Sequence, residues 1–146
     1  MKSNKGFSLV ELIVVIAIMA IIAAVAVPVY NTYIDKAQNG SDASTIAEAF
    51  HAADIAASLN NATFTYDFDD DNKKFAIVFA NSDAGKADAG KAACTDAAAV
   101  LTGIATKSGD IALVIEFDHA VKTTDKAVTD ITSKYTAAEY TFSAQN

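Results

Sequence analysis

The sequence predicts an α+β protein, a long N-terminal α-helix packed on an antiparallel sheet of three to four strands. Two observations carry this. Leu12 to Val27 is an unbroken apolar run that leads toward a helically spaced stripe reaching Leu59. After Asn60-Asn61 the apolar spacing switches to period two. With 146 residues the chain is one domain, with room for an appendage and a moderate core.

The first element is apolar on every side, which suits a helix in lipid or one buried among other helices. Residues 7–29 give about 35 Å of helix, enough to cross a bilayer. Lys2 and Lys5 precede the run, so the positive-inside rule leaves the N-terminus in the cytoplasm and the rest outside. Ala17, Ala20, Ala23, Ala24 and Ala26 allow close approach of neighbouring helices. Pro28, the only proline, is expected to kink or locally melt the helix near Ala24 to Ala26.

Glu11 does not fit a plain anchor. A carboxylate deep in a bilayer costs about 2.5–3.5 kcal/mol, so it needs a partner and marks a functional position. A secretory signal peptide is an alternative reading, with Leu12 to Ala23 as its apolar core and Ala24-Val25-Ala26 as its cleavage site. It predicts a mature start at Val27.

Read together, the basic leader ending in Gly6, then Phe7, Ser8, two aliphatics, Glu11 and an apolar helix reaching Pro28 resemble the type IV pilin superfamily. The resemblance covers residues 1–35 and implies the type IV pilin fold. It divides the chain into a prepilin leader (1–6), a hydrophobic transmembrane and polymerisation helix (7–30), an amphipathic continuation (31–60) and a globular head (61–146). It further implies that a prepilin peptidase cuts between Gly6 and Phe7 and that Phe7 is N-methylated. The new Phe7 ammonium would then meet Glu11, within a subunit or between neighbours. Such pairing would set axial register, because an unpaired buried charge costs far more than a paired one. Phe7, Glu11 and Pro28 are the implied assembly residues.

The implied product is a structural subunit, a major pilin. It starts as a single-pass membrane precursor in contact with lipid and becomes an extracellular homopolymer built by a membrane assembly machinery. Adhesion, motility, aggregation and DNA uptake are its possible services. A pseudopilin of a type II secretion or competence system is the alternative within the superfamily. A secreted binding protein with a cleaved signal peptide is the alternative outside it.

Asn39-Gly40-Ser41 is a second weak point, read as a bend or a cap. The helix then resumes from Asp42 to Leu59. Its apolar stripe is Ile46, Phe50, Ala53 and Ala57, widened by Ile55 and Leu59, opposite Glu48, His51 and Asp54. Strands are expected at Thr63 to Phe68 and Lys74 to Ala80, joined by a polar turn over Asp69 to Lys73. Asn81 to Gly90 reads as a flexible connection and Lys91 to Thr106 as a short helix. Ile111 to Asp118 is the strongest strand and Tyr135 to Phe142 a fourth. Val121 to Lys134 is open between loop, strand and helix.

Composition narrows the function. The net charge is −7 and all 11 basic residues are lysine, including scattered surface positions such as Lys86 and Lys91, so no direct nucleic-acid binding is expected. Cys94 is the only cysteine and reads as a buried or inert thiol. His51 and His119 lie far apart in sequence and form no metal pair. Asp67-x-Asp69-x-Asp71 starts like a calcium loop, but Asn72 stands where glycine is needed and Val78 where a bidentate glutamate is needed. It is therefore only a weak metal candidate, and an acidic hairpin tip is favoured. Phe7, Tyr30 and Tyr33 are read as packing residues. No nucleophile, phosphate-loop or zinc motif appears, so the chain is not expected to be an enzyme and no cofactor is expected.

Overall fold

A computed structural model describes residues 6–82, 88–101, 106–108, 111–137 and 140–142. The chain forms two compact units, Met1–Gln38 and Asn39–Asn146.

Helix α1 runs Leu9–Asn60 and contains Pro28. The melting expected at Ala24 to Ala26 is absent in this chain. Proline removes one donor from the ladder, and the long flanks of helix-forming residues carry the helix past it. Thr32 Oγ1 donates to the Pro28 carbonyl at 3.0 Å and so adds a local bond. The break expected at Asn39-Gly40-Ser41 is also absent. Asn39 and Asp42 are buried there, and each has a long-range partner described below. The helix stops where Asn61 takes a left-handed conformation, φ 54°.

The second unit holds a four-stranded antiparallel sheet. Strands β1 (Ala62–Phe68), β2 (Lys74–Asn81), β3 (Thr106–Ser108) and β4 (Ala112–Glu116) lie in the order β1-β2-β4-β3. The register sets Tyr66 opposite Ile77, and Ile77 opposite Leu113, on one face. That face packs with residues 43–57 of α1 into the core around Phe50, Phe75, Ile77, Phe79, Leu113 and Ile115. Phe50 stacks on Tyr135 with centroids 3.9 Å apart and meets Tyr66 and Phe75 edge-on at 5.2 and 5.3 Å.

The apolar face of α1 differs from expectation in one respect. Ile55 and Leu59 are exposed, and Ala49, Ala52 and Ala56 fill the stripe instead. Small side chains let the helix lie close to the aromatic sheet face, so bulk comes from the sheet rather than from the helix.

The later elements correct the expectation at the second helix and at the C-terminal strand, and resolve the segment left open. Helix α2 spans Ala89–Val100, starting earlier and ending earlier than expected, and Thr106 belongs to β3. Its start is fixed by Gly90, whose N–H donates to Asn81 Oδ1 at 2.7 Å. A Cβ on Gly90 would lie 3.2 Å from the Phe79 carbonyl oxygen, a close approach that glycine accommodates without displacing its neighbours. The open segment 121–134 contains helix α3, Lys126–Thr132.

Tyr135 to Phe142 does not form the expected fourth strand among the described residues. It contributes one parallel bridge, Tyr66 with Ala137, while the Tyr135 ring turns into the core. Residues 83–87 of the expected flexible connection, including Lys86, lie outside the described residues.

Candidate functional site: the start of the first helix

The first unit presents an unusual surface. Every residue from Gly6 to Gln38 is exposed. The helix is apolar enough to cross a membrane, with mean hydropathy 3.1 over its best window and none of that window buried within the chain. Exposed large apolar surface of this extent marks a membrane or protein contact.

At its head, Gly6 and Phe7 lie just before α1 and Glu11 in its first turn. Phe7 is 89% exposed. A side chain on Gly6 would meet nothing within 4 Å, so nothing in this chain's packing calls for glycine there. Helix α1 starts at Leu9, which makes Ser8 the N-cap and Glu11 the third helical residue. Ser8 Oγ accepts from the Glu11 N–H at 3.3 Å, and Glu11 Oε2 accepts from the Ser8 N–H at 3.2 Å. This reciprocal pair is a capping box, and it satisfies two donors of the first turn. The sequence reading sought a partner for Glu11 and overlooked Ser8, although the S-x-x-E spacing is itself the signal. Pro28 lies about 25 Å further along the helix at 1.5 Å per residue and does not join this cluster.

The other sequence candidates do not assemble. Asp67 accepts from the Phe68 N–H at 2.8 Å and the Tyr140 N–H at 2.9 Å, while Asp69 accepts from the Lys74 N–H at 2.8 Å. These two carboxylates organise backbone, and Asp71 is exposed at the turn. Among the described residues, no group of three or more ligating side chains could hold a metal ion. Cys94 is buried in the core and His51 is exposed.

His119 is different. Its Nε2 lies 2.8 and 3.0 Å from the two carboxylate oxygens of Asp42, and its Nδ1 pairs with Asp118. The carboxylates sit on opposite edges of the ring, so they bind the imidazole and cannot share one metal with it. The hydrogen bond to Asp42 and then that to Asp118 raise the His119 pKa, against a smaller effect of burial. The hydrogen bond from His119 and its charge lower that of exposed Asp118. Beside this pair, Asn39 Nδ2 donates to Asp125 Oδ2 at 3.0 Å, and the other Asp125 oxygen caps α3 by accepting from the Ala127 N–H at 2.9 Å.

A long, apolar, exposed N-terminal helix fits a membrane-anchored precursor. The family model of the prokaryotic N-terminal methylation motif matches this chain over residues 1–27, and this match, with a fold consistent with that of type IV pilins, supports a type IV pilin-like or prepilin-like protein. No curated protein and no solved structure matches it. Pilin-like proteins are structural, the motif implies processing by a prepilin peptidase and assembly into filaments, and the apolar helix fits a membrane-anchored precursor.

Proposed function

We propose that this chain is the major structural subunit of a type IV pilus. It enters the membrane with its N-terminus in the cytoplasm and residues 1–6 as leader, and a peptidase hydrolyses the Gly6–Phe7 bond. Water supplies the atoms that leave a Gly6 carboxylate and a Phe7 ammonium; after losing a proton, the Phe7 amine takes a methyl group from a sulfonium methyl donor, which departs as the thioether. Residues 7–35 then polymerise, with Glu11 facing the Phe7 ammonium of a neighbour, and the head forms the outer surface of an extracellular filament. The observation that supports this most is the methylation motif lying on a helix whose apolar side chains obtain no burial from their own chain. The freedom around Gly6 agrees with it, since the demand for glycine then comes from the peptidase rather than from packing.

Co-expression of the full chain with a prepilin peptidase, followed by intact mass and N-terminal sequencing, tests the first step. A methylated Phe7 start is expected, and a start at Val27 would return the chain to the secreted class. Electron microscopy of sheared cells tests the second step, with long fibres expected. Short membrane-bound stubs would make it a pseudopilin. Glu11→Val is expected to insert and be cut but to lose most filament yield. Normal yield from that variant would remove Glu11 from the assembly step.

A further inference from the structure

The capping box at Ser8 and Glu11 has a property that matters for processing. Both of its hydrogen bonds lie on the C-terminal side of the Gly6–Phe7 bond. Hydrolysis there turns the Phe7 nitrogen into an amine but leaves the Ser8 nitrogen an amide, so both donors and both acceptors persist. We propose that Ser8 is a positioning residue for Glu11: its Oγ, by accepting from the Glu11 N–H, closes the turn that brings the Ser8 main-chain N–H to the Glu11 carboxylate, in the precursor and in the mature subunit alike. This rests on the processing and assembly reading above.

The physical argument is one of orientation. A free glutamate side chain samples many rotamers, and on an all-apolar helix most of them point the charge sideways into lipid or neighbouring side chains. The bond from the Ser8 main-chain N–H turns Oε2 back over the first turn, toward the start of the helix. A carboxylate accepts about four hydrogen bonds, so the one from Ser8 leaves capacity for an ammonium. In a bilayer the same box satisfies backbone donors that find no water, which makes it harder to open than on a soluble helix. Ser8 thus keeps Glu11 ready for docking and keeps the helix start closed while it waits.

Ser8→Ala and Ser8→Thr, made in the full chain with the peptidase present, test this. Threonine is also an N-cap residue and is expected to behave as wild type. Both variants are expected to be cut after Gly6 as wild type is. Filament yield per cut subunit is expected to fall about fivefold in Ser8→Ala, the factor that corresponds to a cap of about 1 kcal/mol. In detergent micelles, the Ser8 amide proton of the wild-type chain should lie downfield of its position in Glu11→Ala, as expected of a hydrogen-bonded amide.

Equal yields for Ser8→Ala and wild type would overturn the role of Ser8 while leaving the filament reading intact. A Ser8 amide that ignores Glu11 would overturn it as well. A wild-type chain left uncut after Gly6 would instead bring down the processing reading, and the amide comparison would still decide whether the box exists.

Discussion

His119 grips the carboxylate of Asp42 across 77 residues of sequence, its Nε2 at 2.8 and 3.0 Å from the two oxygens. Asp42 lies on α1 and its side chain is 6% exposed, against 29% for His119. With Asn39 held by Asp125 one turn earlier, these contacts fasten the connection between β4 and α3 to the helix where the sequence looks weakest. The expected bend at Asn39-Gly40-Ser41 is straddled by its own tertiary partners.

This pair predicts a pH dependence. The folded-state pKa of His119 is raised above its ordinary value of about 6.5, so its contribution to stability is complete below that value and is lost as pH rises through the raised one. Stability of the full chain in detergent should therefore decline as pH rises from about 6.5 through that range. His119→Gln should flatten the decline. Asp118 acts at the opposite end, its lowered pKa giving a contribution that disappears only in acid, and its full exposure keeps that contribution small. Below pH 6.5, His119→Ala should cost about 2–3 kcal/mol, since it leaves the Asp42 carboxylate buried without its partner. Chemical denaturation at pH 6 and 9 checks both statements, and a His119 variant as pH-dependent as wild type would contradict them.

Phe50 is the side chain on which the head closes. It is 1% exposed and touches Tyr66, Phe75 and Tyr135 from three directions. Phe50→Ala should cost about 3–5 kcal/mol and diminish the tyrosine bands of the near-ultraviolet circular dichroism spectrum. Phe50→Leu should cost less, because it leaves the smaller void. A loss under 1 kcal/mol for the alanine variant would mean that the core is not centred there.

Gly40 sits inside α1, exposed, with open space around an added Cβ. Gly40→Ala should raise stability by about 0.5–1 kcal/mol, since glycine loses more backbone freedom in a helix than alanine does. Thermal unfolding in micelles measures it. A lowered midpoint would show that Gly40 leaves the helical conformation in solution.

How much of this could be read in advance follows from the range of the interactions. The strands β1 and β2 and the turn between them are local, and their alternation located them to within a residue or so. Ile55 and Leu59 were misplaced because hydrophobicity alone ranks them above alanine, whereas the aromatic sheet face favours small neighbours on the helix. Tyr135 has good strand propensity and yet serves as a ring stacked on Phe50, a choice made by a cavity that only the folded head contains. In the segment that matches the methylation motif, Gly6, Phe7 and Glu11 stand out in the sequence because their register is short. Ser8 was equally legible and was passed over.

The sequence by itself determined the N-terminal segment: an all-apolar helix, one acid near its head, and a motif whose spacing lies within a single turn. Periodicity and short-range spacing survive in any context, so no fold was needed to read them. Only the tertiary structure decided that alanines face the sheet and that Asp42 and Asn39, on either side of Gly40, are anchored by His119 and Asp125. Those partners lie 77 and 86 residues away, and only chain folding brings them within hydrogen-bond reach.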